Sequence, residues 1–312
     1  AADRRHHRRT RSGCLTEGNH AAMATAPCNP APRPAADSST LSERDFARIA
    51  GIVSKHTGIK LPASKHLMLE GRLRRRAGLA GFASLDEYCD YLFEEDGLKD
   101  EFQHVVDVAT TNKTDFFREA SHFDYLAGTI IPALLAAQRT IKLWSAASSN
   151  GAEAYTIAMV MAELARSQAG LRYAILGTDI SSAMIESAHR AIYPRSMLAP
   201  VSPQMQRRYA MFDKGVGENG RARIVPELRR KCSFQQLNLM DASYPVDRDV
   251  DVIFVRNVLI YFEPEVQDAV VRRLWGHLRP GGHLILGHSE SMIGTRQGLP
   301  QVASGVFRKD RT

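Results

Sequence analysis

Two hydrophobic periods divide the chain. Between residues 41 and 108 apolar positions recur three and four apart, as in Phe46, Ile49 and Val53, or Leu98, Phe102, Val105 and Val106. That spacing lines one face of a helix. The segment therefore predicts a small all-helical domain. Ser42 with Asp45, and Ser84 with Glu87, stand three apart at helix starts, where the serine hydroxyl accepts from the N3 amide. From residue 140 short apolar runs alternate with helical segments. IKLWSA (141–146), YAILGT (173–178), CSFQQL (232–237) and VDVIFV (250–255) predict strands. Ala152–Arg166, the segment opened by Ser181, and a helix with Pro264 in its first turn fall between or after them. Gly281-Gly282 turn the chain into HLILG, and GVFRK is a final strand.

Strands that read as unbroken Val/Ile/Phe runs are covered on both faces, as in a parallel sheet. The expected fold is α/β: a Rossmann-like doubly wound sheet with right-handed crossovers, preceded by the helical domain. Residues 194–231 break the rhythm. They are rich in Arg, Pro and Gly, and DKGVGENGRARIVPEL reads as a hairpin, so a small antiparallel β-subdomain is expected as an insertion there. The domain scheme is a tail at 1–40, helices at 41–108 and the α/β unit at 109–312.

Composition narrows the class. The chain has 312 residues, 44% hydrophobic and 24% charged, as in ordinary globular proteins. No apolar run approaches the 18 or so residues of a membrane span. Cys14, Cys28, Cys89 and Cys232 are scattered without a C-x-x-C pair, which argues against zinc or a disulfide framework and for a cytoplasmic location.

The net charge is +7, and its placement matters. Residues 1–20 hold five arginines against Asp3 and Glu17; with the Pro/Ala/Ser run to residue 40 they predict a disordered tail. Met23 is an alternative start, which would leave residues 1–22 outside the protein. A second cluster, Lys65, Arg72, Arg74, Arg75 and Arg76 against Glu70, lies on a predicted helix. It reads equally as a solvated face or as a docking surface for an acidic partner.

Candidate chemistry begins at residues 250–264, VDVIFVRNVLIYFEP, where a buried strand ends in Arg256-Asn257. Open α/β sheets hold ligands at the carboxyl ends of their strands. The loop after the first strand, AASSNGAEAY, has a single glycine, so neither a dinucleotide fingerprint nor a phosphate loop is present. A nucleoside ligand without phosphates, such as S-adenosylmethionine, relaxes that demand. Asp179, ending the second strand, suits ribose hydroxyls and equally suits a helix cap.

Taken in order, TNKTDFFREASHF, LWSAASSNGAEAYTIAM, GTDIS, NLMD, RNVLIYF and LRPGGHLILGHSES closely resemble the CheR-type chemotaxis receptor methyltransferases, from about residue 42 to 308. The resemblance implies methyl transfer from S-adenosylmethionine to chemoreceptor glutamates, with S-adenosylhomocysteine as product and no metal. It assigns cofactor contacts to Asn112, Thr114, Arg118, Glu153, Asp179, Asn238, Leu239, Arg256 and Asn257. Tyr261 falls beside the reacting centre. Arg118 joins it as a catalytic candidate, bound either to the cofactor's carboxylate or to the substrate's. Arg72, Arg74, Arg75 and Arg76 would meet the receptor's acidic methylation helices, and the insertion would correspond to a subdomain that in some members holds a tethering peptide. The implied protein is a cytoplasmic monomer recruited to membrane receptor arrays. One departure stands out: the family's G-E-E-P is here Gly151-Ala152-Glu153-Ala154, which keeps the second acid and loses the proline.

Simpler readings compete residue by residue. Asn112 or Thr114 could cap a helix, Glu153 could complement a helix dipole, and Tyr261 could be a buried aromatic. Arg256 has no evident structural purpose in the sequence. His288-Ser289-Glu290 lacks the second glycine of a nucleophile elbow and reads as a strand-end turn. Two rival functions follow. A nucleic-acid methyltransferase would suit the basic charge, but no Asn/Asp-Pro-Pro-aromatic run follows the fourth strand. A non-catalytic cofactor or receptor binder is motivated by the altered Gly151–Ala154 loop.

Overall fold

The computed structural model describes residues 40–110, 112–135, 139–214 and 220–310. The arginine-rich tail, the alternative start at Met23, Cys14 and Cys28, and the tip of the expected hairpin lie outside the described residues.

Four helices open the described chain: α1 (Glu43–Thr57), α2 (His66–Ala80), α3 (Leu85–Glu94) and α4 (Leu98–Ala109). Both serine starts are realised. The Ser42 hydroxyl accepts from the Asp45 amide and the Ser84 hydroxyl from the Glu87 amide. Phe46, Ile49, Val53, Leu69, Leu73, Tyr88, Leu92 and Val105 meet in a core of their own. α1 stops at Gly58, whose φ of 73° is the left-handed value a glycine cap adopts freely. A further helical stretch, α5 (Ser121–Tyr125) running through a π-type turn into α6 (Ile131–Leu135), was not anticipated. Phe123, Leu126, Ile130 and Ile131 bury it against the sheet domain's core.

The sheet domain runs β1 (Thr140–Ala146), α7 (Ala152–Ser167), β2 (Arg172–Asp179), α8 (Ser182–Arg190), β3 (Ile192–Pro194), α9 (Pro203–Tyr209), β4 (Ala210–Phe212), β5 (Arg221–Ile224), α10 (Pro226–Arg229) and β6 (Cys232–Gln236). It continues with β7 (Val250–Val255), α11 (Pro264–His277), β8 (Leu278–Leu286), α12 (Ser291–Arg296), β9 (Gln301–Ala303) and β10 (Val306–Arg308). Among the described residues, one sheet has the order β6-β2-β1-β7-β8-β10-β9. Strands β6 to β8 are parallel, as expected. The GVFRK strand is instead antiparallel to β8 and pairs with β9, an antiparallel edge that the apolar pattern alone did not reveal.

The insertion is a separate antiparallel sheet, β3-β5-β4, which starts at Ile192, two residues before the expected boundary. At the far end of the main sheet Asp251 is wholly buried in β7. Its carboxylate accepts from the Arg139 and Arg279 guanidiniums and from the Lys142 amide, which ties β1, β7 and β8 together below the site. No described helix is long and apolar enough to cross a membrane.

Candidate active site

Strand order reverses between β1 and β7, and a cleft opens there at the strands' carboxyl ends. Every residue that the resemblance assigned to the cofactor lines it, and so does Tyr261. The opposite wall comes from the helical domain: Thr57, Ile59, Lys60, Leu61 and Lys65 follow or end α1. That wall is tied to the site by an ion pair between Lys60 and Glu263 and by hydrogen bonds. The Lys60 amide donates to the Tyr261 carbonyl at 3.0 Å, and Asn238 Nδ2 donates to the His56 carbonyl at 2.7 Å.

Arg256 turns out to have structural work. Its Nε donates to Glu153 Oε2 at 2.7 Å, and Ser145 Oγ donates to the other Glu153 oxygen, also at 2.7 Å. Arg256 Nη1 donates to the Arg118 carbonyl at 2.7 Å and lies 3.2 Å from His122 Nδ1. The guanidinium thus ties β7 to the first turn of α7 and to the segment before α5. Arg256 and Glu153 are both buried, so each needs the other's charge. Residues 103 apart in sequence carry no local sign of that pairing.

Asp179 sits buried at the tip of β2 and accepts from the Ser149 amide at 2.8 Å and the Ser181 amide at 3.0 Å. Each oxygen keeps a further lone pair for a hydroxyl donor. Burial pushes this carboxyl up to about 6, against the pull of those amides and helped by nearby Asp107. The helix cap itself is Ser181, whose hydroxyl accepts from Met184.

Several side chains differ from their simpler readings. Asn112 and Thr114 lie in an irregular segment before α5, so neither caps a helix. The Asn112 carbonyl accepts from Ser149 Oγ instead. Gly151 does not line the cleft. It takes φ 87° at the start of α7, and a Cβ there would lie 2.8 Å from Ala188 Cβ, so its demand is helix packing rather than ligand approach. Tyr261 is half-buried on the cleft wall, at the end of a 3-10 turn. Arg118 lines the cleft with its Nη1 donating to the Lys113 carbonyl.

Backbone strain gathers in the same place. Phe117, Glu119, Ala147, Ser149 and Asn257 all adopt φ between 50° and 65°. Such values are costly for residues with a Cβ, least so for Asn, and they cluster where a structure must aim groups at a ligand.

Sequence reasoning missed three acids and bases. Glu290, dismissed with its neighbours as a turn, is fully buried beneath residues 257–260. Glu119 accepts from Asn257 Nδ2 at 3.1 Å and from the His288 amide at 3.1 Å. Burial would raise its carboxyl, but those bonds and Arg256 hold it below the ordinary value. His122 is driven down to about 4, first by burial and then by Arg256, and is therefore neutral near pH 7. Glu119, His122 and His288 lie close enough to suggest a metal site. Both His122 nitrogens are already engaged, with the Ser304 carbonyl and with Arg256, so an ion would have to displace the guanidinium.

The arginines of α2 divide by role. Arg72 donates to the Val108 and Thr110 carbonyls at the end of α4, capping it. Arg76 pairs with Glu101, which also accepts from the Tyr88 hydroxyl, and Arg74 pairs with Glu70. Arg75 is exposed. With Arg72 and Lys113 it edges a shallow groove that shares Thr110, Asn112 and Lys113 with the main cleft.

Comparison with known proteins places the chain in a family. The model of the CheR methyltransferase SAM-binding domain matches residues 112–307, and that of the CheR methyltransferase all-alpha domain matches residues 44–110. The chain belongs to the CheR methyltransferase family. Chemotaxis protein methyltransferase 2 of Pseudomonas aeruginosa is 35% identical over 267 residues, covering 85% of this chain and 93% of that protein. The chemotaxis protein methyltransferase of Escherichia coli is 37% identical over 253 residues, covering 80% and 85%. That of Borreliella burgdorferi is 30% identical over 276 residues, covering 86% and 95%. This CheR-family chain is an S-adenosylmethionine-dependent methyltransferase. The residues present fit that cofactor. An acid stands at the β2 tip, Ile180, Leu237, Leu239 and Phe262 give the cleft apolar walls, and a nucleoside without phosphates requires no phosphate cradle.

Proposed function

We propose that this chain methylates glutamate side chains on the cytoplasmic helices of bacterial chemoreceptors, in the cleft between β1 and β7. The observation that carries the reading is convergence: residues from Asn112 to Tyr261, scattered over 150 positions, line one cleft at the fold's ligand-binding edge. Bound there, S-adenosylmethionine supplies an electrophilic sulfonium methyl. Asp179 would accept from the ribose hydroxyls, with Asn238 and Leu239 beside the base. Arg256 is committed to Glu153, which leaves Arg118 as the guanidinium for the cofactor's own carboxylate.

The substrate needs no general base. A receptor glutamate with a pKa near 4.3 is already ionised at neutral pH. Its carboxylate oxygen bonds to the methyl carbon as the sulfur–carbon bond breaks, and no proton moves. Tyr261 has only to hold that oxygen in line, and orientation of this kind can supply several kcal/mol. A firm arginine grip on the substrate would favour the ground state, which is a further reason to give Arg118 to the cofactor. The reaction calls for no metal.

The groove edged by Arg72, Arg75 and Lys113 runs up to the cleft and suits an acidic helix. Since Arg74 and Arg76 are held inside the helical domain, Arg75 is the residue of that run best placed to meet a receptor. The β3-β5-β4 sheet would hold a receptor's C-terminal tethering peptide where one exists. The protein would act as a cytoplasmic monomer recruited to receptor arrays. The Gly151-Ala152-Glu153-Ala154 departure leaves Glu153 bound to Arg256 and Ser145, which supports an active enzyme.

The test uses purified protein, cofactor labelled on the methyl group and a chemoreceptor cytoplasmic fragment. Label on the receptor that mild alkali releases as methanol is the expected result. Cofactor binding without transfer would reject the reading for that receptor.

A further inference from the structure

Glu290 is the buried group that the mechanism leaves unused. It closes the sequence Gly287-His288-Ser289-Glu290 after β8, and none of its surface reaches solvent. One carboxylate oxygen accepts from the amides of Val258 at 2.9 Å, Leu259 at 2.7 Å and Ile260 at 3.3 Å. The other accepts from the amides of Asn257 at 2.7 Å and Gly287 at 3.0 Å. Four consecutive donors thus come from the turn after β7, thirty or more residues away. No cation pairs with this acid among the described ion pairs, so main-chain dipoles answer its charge.

That arrangement exceeds what a helix cap requires. Capping explains the Gly287 amide alone. The turn it gathers carries Asn257 at φ 60°, Val258 and Tyr261 into the cleft. Glu119 holds the same asparagine from its side-chain end. Gly287 shows how closely the carboxylate is seated, since a Cβ there would lie 2.6 Å from Glu290 Oε2. A glutamine could not substitute. Its NH2 group would face the amide donors that the second oxygen now satisfies.

We propose that Glu290 is a positioning residue for methyl transfer: its carboxylate fixes the 257–261 turn and thereby the place of Tyr261 at the reacting centre. The inference rests on the assignment of that cleft to the reaction. It separates two jobs. Of the assigned cofactor contacts only Asn257 belongs to the turn, whereas Asp179 and Glu153 hang from β2 and α7, so cofactor binding should weaken but persist when the turn loosens, while alignment of the substrate should not.

The test compares Glu290→Gln and Gly287→Ala with the unchanged protein. Calorimetry with S-adenosylhomocysteine counts binding-competent sites, and turnover on a receptor fragment is expressed per such site. In Glu290→Gln, turnover per site is expected to fall by about 10- to 100-fold, the scale of an ångström-sized misplacement. Gly287→Ala, which keeps the acid but crowds it, should move the same way by less, and it decides alone if Glu290→Gln does not fold. Glu290→Asp, acidic but a methylene short, should recover part of the loss. Unchanged turnover per site would overturn the proposal, because a purely structural acid lowers the number of sites and not their rate. Asp179→Asn is the control for the cleft: if it binds S-adenosylhomocysteine normally, the cleft assignment fails rather than the role of Glu290.

Discussion

Burial sets the working pH of Asp179. Its carboxyl is pushed up to about 6, and the ionised form is the stronger acceptor for the ribose hydroxyls proposed to bind there. Cofactor affinity is therefore expected to weaken as pH falls through about 6, and Asp179→Asn should flatten that dependence; calorimetry between pH 5 and 8 checks both. The effect on folding has the opposite sign. With a folded value above the ordinary 3.8, Asp179 contributes stability that is complete below the ordinary value and lost as pH rises through about 6. This residue was legible because a strand's last position is fixed by the apolar run before it. Arg256 was legible in place and not in purpose, since its partner Glu153 belongs to another crossover. Glu290 was illegible. What it binds is backbone, and backbone amides leave no mark on a sequence.

Elements were easier to read than their joints. The capping serines and the 3.6-residue spacing located α1 and α3, and the Val/Ile/Phe runs located β1, β2 and β7, because each signal is local. The stretch α5–α6 escaped because Gly128 and Pro132 interrupt it and it follows a strained turn at Phe117 and Glu119. Gly151 was noticed for a plausible but different reason. Its left-handed φ and the nearness of Ala188 make α7 and α8 pack on a bare Cα. Gly151→Ala is expected to cost about 1–3 kcal/mol, seen as a lower urea midpoint at unchanged slope. Because Glu153 lies two residues on, cofactor affinity should fall with it.

At the scale of the whole molecule, charge has an address. Residues 192–231 hold nine Lys and Arg against three Asp and Glu, most of the chain's +7. The insertion is thus a concentrated basic region, and Arg221 and Arg223 are exposed on the central strand of its sheet. Encounter with an acidic receptor should be steered by this field. Raising ionic strength from about 0.01 M to about 0.15 M shortens screening from about 30 Å to about 8 Å, so KM for a receptor fragment should rise. The cofactor's Kd and kcat should hold, and steady-state assays at two salt concentrations distinguish these outcomes.

The cleft's two walls belong to separately cored parts of the chain, joined across the cleft by bonds such as Lys60 to Tyr261 and Asn238 to His56. Were those bonds to open each time a molecule enters or leaves, the two walls would have to part. The slow event in each cycle would then be a hinge against solvent drag rather than bond-making, and turnover would slow with added viscogen in proportion to viscosity. An enzyme limited in this way tunes its pace by how firmly its two parts hold one another.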